Sequence, residues 1–544
     1  MNYVGTARPI HDAKGKATGY SKYAGDISLS NMAYLCMLHS KIPHGYVKAV
    51  HAEKALALPG VYGVYHCLNT SERKYNRYRS SFDQAYLANE ERAFNQYVRF
   101  VGDKIGAVAA CDQETAEKAA RLVEVEYEEL PFSIGFDDTL AGKNCLDGET
   151  PVRDEYELDV GEKQGNAEGL IEVCSTMELP RLHHATMETH ACIADYDPYS
   201  DMLTVYCPNQ AVHGIRTVLA DFLEMPESHV RVVKATMGGS FGAKQEWFLE
   251  PVTALVAKKL CRPVKLVYSR GEAMTDTIVR GAMRMSARGY YTPDGTMTTI
   301  QSLRLFVVGN AGDYVRALAG KPTRCYRIPY MHYHGQVISS NSPVSGAFRS
   351  WSAAEEALMM ERQLDAAAEK LGMDRLAIRL KNVARSGEED KKLHLSLEDI
   401  RIGDAITLGS EKFGWDKLKA EDAAFNASQQ RYRRGVGIGI GGHGNTYFPR
   451  FNDYGEGSIS LNADGSMQAN FTLHDHGCGT VTAMRMIAAE VLKVPEDKIY
   501  MTEGDTAVTP IDYGCFASRT TYVVGGLSGK RKKARKTKAC AVFR

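Results

Sequence analysis

The segment Ala235–Pro251, ATMGGSFGAKQEWFLEP, crowds Gly238, Gly239, Ser240 and Gly242 around Phe241, just ahead of an apolar helical pattern. Residues without a Cβ let the main chain approach a ligand, and amides entering a helix turn partial positive charge toward it. That chemistry suits an anion or an electron-rich oxygen. On these residues alone three readings are open. A P-loop needs a hydroxyl residue after its lysine to reach magnesium, whereas Lys244 is followed by Gln245. A dinucleotide fingerprint needs G-x-G-x-x-G and an acidic residue about 20 positions on, and the spacing G-G-S-F-G departs from it. The third reading is a strand-to-helix turn that holds nothing.

Three more stretches have the same character: NSPVSGAFRSW (Asn341–Trp351), HDHGCGT (His474–Thr480) and DYGCFASRTTYVVGG (Asp512–Gly526). Each falls between a strand and a helical pattern, and the first sets Arg349 beside a helix start, a second anion-favouring arrangement. Four such turns suggest one large ligand held from several sides. Other chemistry-bearing residues have blander readings. His183, His184, Glu188 and His190 lack the H-E-x-x-H spacing of a zinc helix, His474 and His476 alternate as on a strand, and Tyr447 and Phe448 suit core packing.

The elements that must position these turns follow from periodicity. AYLCMLHS and KIGAVAACD read as strands, QETAEKAARLV as a helix and EVEYEELP as an alternating strand, which makes a compact α/β unit; FDDTLAGKNCLDGETP reads as a linker. Beyond it, MLTVYCPN, VRVVKATM and PVKLVYSR read as strands, interleaved with helices over AVHGIRTVLADFLEM and EWFLEPVTALVAKKL. SAAEEALMMERQLDAAAEKLG carries Ala357, Met360, Leu364, Ala367 and Leu371 at helical spacing, with Gly372 as its stop. After the charged break SGEEDKKLHLS a second α/β region runs to Gly526. The expected organisation is a mixed α/β (α+β) chain with units at 1–140, 160–390 and 400–527 and a tail at 528–544.

Bulk composition narrows the function classes. Lys+Arg and Asp+Glu both total 66 among 544 residues, so no global field favours nucleic acid or an anionic membrane. The start MNYVGTARPIHDAKGK has no apolar signal-peptide core, and no stretch approaches the ~20 apolar residues needed to span a bilayer. A cytoplasmic protein without nucleic-acid or membrane partners is expected. The twelve cysteines include no C-x-x-C pair, which argues against an iron–sulfur cluster or structural zinc in this chain.

Taken in order, the motifs resemble the large, molybdenum-binding subunit of the xanthine dehydrogenase/aldehyde oxidase family of molybdenum hydroxylases. GTARPIHDAKGKATGYSKYAGDI is similar to the family's opening and its α/β-hammerhead domain; MGGSFGAKQ is similar to G-G-G-F-G-G-K-[EQ]. GAFRSWSAAEEALMMERQLDAAAEKLGMDRLAIRLKN is similar to the A-F-R-G-F-G helix, HGCGTVTAMRMIAAEVLKVPEDKI to the GQG segment, and GDTAVTPIDYGCFASRTT to the A-S-R segment. The resemblance implies a hammerhead domain followed by molybdenum-cofactor-binding α/β domains, the last one incomplete. It implies a molybdopterin cofactor, as the cytosine dinucleotide, and oxidation of a purine-type carbon such as that of xanthine with water as oxygen source. Aldehydes and other N-heterocycles are the alternative substrates, and an inactive fragment the alternative fate. The electrons would pass to [2Fe–2S] and FAD on an iron–sulfur subunit and an FAD-binding subunit.

By position, the resemblance places Gln210, Gly239, Ser240, Phe241, Gly242, Ala347, Phe348, Arg349, Cys478, Ala517 and Ser518 at the cofactor. Gln210, Phe241 and Arg349 would lie next to the metal, and Gln245 and Trp351 would meet the substrate. Gln245 carries an amide that both donates and accepts, which suits a heterocycle. The chain departs from the pattern at Ser240, Ser350, Trp351, Ser352 and Cys478, the last in place of the GQG glutamine. The family's general-base Glu belongs to a segment beyond Arg544, so no catalytic residue is assigned within this chain. In the tail, Lys530–Lys538 holds seven Lys or Arg in nine residues where the family has an amphipathic helix. A shifted reading frame after Leu527, and hence a C-terminally truncated product, is the favoured expectation there, with a solvated, disordered tail next and a nucleic-acid or nuclear-localisation patch last, given the neutral remainder.

Overall fold

The computed structural model describes residues 3–77, 91–142, 146, 150–163, 167–308, 321–350, 353–428, 431–444, 453–529 and 541–543. Its largest sheet has seven strands in the order Val230–Lys234, Met202–Cys207, Ala191–Asp197, Val264–Val267, Ala33–His39, Lys104–Ala110, Val61–His66. Lys104–Ala110 lies inside the sheet and every one of its residues is buried, which explains why KIGAVAA is an apolar run without alternation. Met202–Cys207 and Val230–Lys234 pair in parallel, and the helix Val212–Leu223 supplies the crossover such a pair requires. The helix Glu250–Leu260 packs on the same sheet, with Val252, Ala254, Val256 and Ala257 at 0% exposure.

This sheet crosses the boundary expected at residue 140. Ala33–Leu35 pairs in parallel with Val264–Leu266, so the N-terminal strands and the 191–267 strands share one sheet and one hydrophobic core. Strand periodicity finds strands but not partners, and these two lie far apart in the chain. The N-terminal region also builds a small sheet of its own, Tyr97–Val98, Gly45–His51 and Glu124–Glu129.

A second sheet runs Val152–Gly161, Tyr330–Ser339, Met297–Val308, Ala282–Tyr291, Ile171–Leu179. The helix Ala353–Leu371 lies across it, burying Met360, Leu364 and Ala367 and stopping at Gly372 with φ +65°. Arg304 is 1% exposed and forks onto Glu356 of that helix at 2.9 and 3.1 Å, which satisfies both buried charges. The third sheet pairs Gly457–Leu461 with Met467–Phe471 and Ala541–Phe543, and Met467–Phe471 with Ile499–Thr502. The helices Thr480–Leu492 and Thr520–Gly529 pack together beside it.

Three local expectations change. The stretch read as a linker contains the short helix Phe136–Leu140, and the strand Val152–Gly161 follows directly on its end. The charged break holds a two-stranded ladder, Glu389–Asp390 with Leu395–Ser396. His474 and His476 lie in the loop after Met467–Phe471 rather than on a strand. The basic run 530–540, Trp351, Tyr447 and Phe448 lie outside the described residues. Among the described residues, no helix is long and apolar enough to cross a membrane.

Candidate cofactor site

Gln210 is the joint of the site. It follows the strand Met202–Cys207, and its amide donates to the Lys244 carbonyl at 2.9 Å while its carbonyl accepts from the Cys515 amide at 2.9 Å. Its side chain repeats both links: Nε2 donates to the Cys515 carbonyl, and Oε1 accepts from the Ser240 hydroxyl. Ser240 Oγ in turn accepts from the Lys244 amide at 3.1 Å. The 238–245 and 512–519 turns are therefore clamped to one glutamine from opposite sides. Gly514 permits this, because a Cβ there would lie 2.7 Å from the Gln210 carbonyl oxygen.

The third turn joins through its backbone. Arg349 donates its amide to the Phe241 carbonyl at 2.7 Å, and a Cβ on Gly242 would stand 2.5 Å from the Ala347 oxygen. His184 Nε2 donates to that same Ala347 oxygen at 2.8 Å, and its ring stacks on Phe348 at 4.2 Å. The Arg280 guanidinium covers the Phe348 ring at 4.2 Å and donates to the Arg349 carbonyl at 2.6 Å. His190 Nε2 donates to the Ala243 carbonyl at 2.9 Å. Burial pushes His184 down to about 4 and His190 down to about 3, so both rings are neutral donors at neutral pH.

Two residues that sequence reading weighed for other chemistry hold the first turn. Lys244 is 2% exposed and pairs with Glu188 at 2.6 Å; the same carboxylate accepts the Gly238 amide at 2.8 Å. This lysine faces a carboxylate rather than a phosphate, which removes the P-loop reading. His184, Glu188 and His190 are taken up by main-chain groups and Lys244, so they serve as struts of the turns.

The fourth pair of segments is held by charge. Arg519 is 1% exposed and donates to Asp512 at 2.9 Å, to Asp453 at 2.8 Å, and to the carbonyls of Gly514 and Tyr454 at 3.1 and 2.6 Å. In the sequence it stands inside the A-S-R segment without a role, since carboxylate and carbonyl partners brought in by folding leave no local signal. Just before it, Ala517 and Ser518 both adopt φ +50°, outside the usual range for residues with a Cβ. In the 474–479 loop, Asp475 accepts the amides of Gly477, Gly479 and Val481 at 2.9, 3.2 and 3.2 Å, closing the start of the helix Thr480–Leu492. Cys478 is exposed on this loop, and His476 Nδ1 lies 3.9 Å from Cys515 Sγ.

The donor set of these turns fits a large anionic group. The amides of Gly239, Ser240, Phe241 and Gly242 find no acceptor among the described residues. Gly239, Phe241 and Gly242 have φ of +92°, +57° and +108°, and Phe241 is 45% exposed at the surface of the turn. The Arg349 side chain is exposed with no carboxylate paired to it among the described residues. Not every small residue faces this opening. Gly238 and Gly242 are small because a Cβ would meet Glu188 at 2.4 Å and Ala347 at 2.5 Å, and the Ser240 side chain is buried at 0% exposure. Gln245 is also buried, at 6%.

Comparison with known proteins agrees with this architecture. Residues 18–131 match the a/b hammerhead domain of aldehyde oxidase and xanthine dehydrogenase, and residues 152–383 and 408–529 match molybdopterin cofactor-binding domains. The xanthine dehydrogenase molybdenum-binding subunit of Escherichia coli O157:H7 is 30% identical over 94% of this chain and 69% of that one. The carbon monoxide dehydrogenase large chain of Hydrogenophaga pseudoflava is 30% identical over 93% of this chain and 67% of that one. Among solved structures, quinoline 2-oxidoreductase from Pseudomonas putida 86 superposes with a TM-score of 0.89 at 22% identity, covering 97% of this chain and 70% of that chain. A hammerhead region and two cofactor-binding regions in this order, with relatives at this identity, place the chain among the molybdenum-cofactor subunits of the xanthine dehydrogenase-like molybdenum hydroxylases.

Proposed function

We propose that the four turns hold a molybdopterin cofactor, as its cytosine dinucleotide, and that the chain serves in hydroxylation of a purine-type heterocycle such as xanthine. The observation that carries the reading is the run of amides at 239–242, without an acceptor among the described residues, beside the exposed Arg349 guanidinium. Amides in such a row and a planar guanidinium together suit an oxygen-rich, phosphate-bearing group. When bound, that group supplies a two-electron redox centre for oxidation with water as oxygen source.

The chain's own residues bind and orient. Phe241 and Gly239 would offer main-chain donors to the metal-bearing part of the group, and Gln210 would offer its remaining Nε2 hydrogen, since the other is spent on Cys515. Ala517 and Ser518, which adopt a left-handed conformation, would contribute main-chain groups to the pterin, with Cys478 of the 474–479 loop. Gln245 and Trp351 are the residues proposed to address substrate. An iron–sulfur subunit and an FAD-binding subunit would take up the electrons, in keeping with the scattered, free cysteines among the described residues.

The test is metal and pterin analysis of protein purified from a host that makes the cofactor, followed by acid release of its nucleotide. Stoichiometric molybdenum and pterin with cytidine monophosphate support the reading, and their loss in Gly239→Val that remains folded assigns them to this turn. Protein that folds and takes up neither refutes it. Dye reduction by the assembled complex with xanthine, an aldehyde and quinoline in parallel then decides substrate class; preference for the aldehyde would overturn the purine assignment.

A further inference from the structure

We infer that Arg280 is a positioning residue for Arg349, holding the main chain at 348–350 so that the Arg349 guanidinium stands in the cofactor site. Arg280 meets this turn at two points: its guanidinium covers the Phe348 ring at 4.2 Å and donates to the Arg349 carbonyl at 2.6 Å. Its Nη1 reaches away from the turn and donates to Glu355, in the first turn of the helix Ala353–Leu371. Glu355 is 3% exposed, so the anchor lies within the packed interior. Arg280 is also held by its own main chain. Its amide donates to the Leu182 carbonyl at 2.8 Å, and its carbonyl accepts the Leu182 amide at 3.2 Å. Just before it, Val279 bonds to Val344 and to Gly346, each at 3.0 Å. The brace is therefore fastened to the chain that enters the turn it holds.

The turn needs such a brace. Ser350 has φ +69°, in the left-handed region that a residue with a Cβ enters at a cost. A conformation of this kind persists where its surroundings over-determine it. Here the Arg349 carbonyl accepts from Arg280 and from the Ser350 hydroxyl, the latter at 2.5 Å. Because a peptide unit is planar, fixing that oxygen fixes the plane between Arg349 and Ser350. The plane before Arg349 is fixed as well, since the Arg349 amide donates to the Phe241 carbonyl at 2.7 Å. With both flanking planes held, the direction in which the Arg349 side chain leaves the main chain is set.

The His184 ring also stacks on Phe348, at 4.2 Å and an interplanar angle of 28°. The Phe348 ring is thus packed within the protein, and the turn offers a ligand its main chain and the exposed Arg349 side chain. That the guanidinium so fixed meets the cofactor rests on the function proposed above; that Arg280 fixes it does not.

The test compares Arg280→Met, Arg280→Lys and Arg304→Lys in the full-length protein. Hydrogen exchange is followed residue by residue without cofactor, and molybdenum per folded chain is measured after expression in a host that makes the cofactor. Arg280→Lys and Arg304→Lys each take a guanidinium from a carboxylate in the first turn of one helix, Glu355 or Glu356. Of the two arginines, Arg280 is the one bonded to the Arg349 carbonyl. Relative to the helix Ala353–Leu371, the Arg349 amide should exchange about tenfold or more faster in Arg280→Lys, as for one lost charge-assisted hydrogen bond. It should keep its parental rate in Arg304→Lys. Lysine supplies a charge for Glu355 but not the fork, so it should recover the global stability that Arg280→Met loses without recovering this local protection. Molybdenum per folded chain should fall severalfold in Arg280→Lys and hold in Arg304→Lys. An Arg349 amide no faster in Arg280→Lys than in Arg304→Lys, or lysine restoring stability and protection together, would overturn the inference. Faster exchange with molybdenum content unchanged would leave the positioning standing and remove Arg349 from the cofactor contact.

Discussion

Ser240 gives its hydroxyl proton to Gln210 Oε1 and receives the Lys244 amide at 3.1 Å, so one buried oxygen ties a turn to the residue that organises the site. The position is a glycine in the family pattern that the sequence resembles, and here the added hydroxyl is absorbed by the protein. Gln210 is thereby fixed at both ends of its side chain, by Ser240 and by the Cys515 carbonyl.

Ser240→Ala should therefore destabilise the protein by about 1–3 kcal/mol, the range for leaving buried polar partners unsatisfied. Denaturant unfolding measures it. A change within experimental error would mean that the Ser240–Gln210 bond carries no weight, and the Gln210 side chain would then be held by the Cys515 carbonyl alone.

Arg519 should be the most sensitive position in the last third of the chain. Arg519→Met strands Asp512 and Asp453, whose side chains are 5% and 3% exposed, and breaking a buried pair this way costs about 3–5 kcal/mol. Hydrogen exchange should show the 512–519 turn and the helix Thr520–Gly529 losing protection first. Arg519→Lys keeps the charge but not the fork, and should recover only part of the loss. Full recovery by lysine would count against a geometric role.

How far the site was legible depended on whether its signal was local. The four small-residue turns, the long helix Ala353–Leu371 and the strand Lys104–Ala110 stand out because their pattern fits within a short window. The sharing of one sheet by Ala33–His39 and Val264–Val267 was not visible, since nothing in either strand names its partner. The same limit hid the struts. His184 and His190 looked like incomplete metal ligands and Lys244 like a failed phosphate ligand, because their partners are main-chain carbonyls and a carboxylate brought in by folding. Glycine itself misled in part: Gly238 and Gly242 are small for packing against Glu188 and Ala347, and only the conformation at Gly239 is free of that demand.

Acidification should weaken the fold through His184 and His190. Their folded values, about 4 and about 3, lie below the ordinary histidine value, so the unfolded chain binds these protons first. Their contribution is whole above about pH 6.5 and is lost as pH falls toward 4, at up to about 1.4 kcal/mol per pH unit for each ring. Glu250 opposes this: burial raises it to about 7, so its contribution is present below the ordinary carboxylate range and is lost as pH rises through 7. His190→Gln should flatten the acid limb by about 1.4 kcal/mol per pH unit relative to the parent. An unchanged slope of stability against pH in this variant would show that His190 is protonated in the folded protein.

The Lys244–Glu188 pair permits a test of how the first turn is held, separate from any ligand. Both charges are largely removed from water, with side chains 2% and 13% exposed, and they meet at 2.6 Å. Lys244→Met leaves Glu188 with the Gly238 amide alone and should cost about 3–5 kcal/mol. Glu188→Gln keeps an acceptor for Gly238 but strips the lysine of its counter-charge, and should cost a comparable amount. In the double variant neither charge remains to be solvated, so stability should return by several kcal/mol, because a buried pair replaced whole is often close to neutral. Strict additivity of the two losses would show that the lysine and the carboxylate act independently, and the turn at 238–245 would then owe its shape to Ser240 and Gln210 rather than to the ion pair.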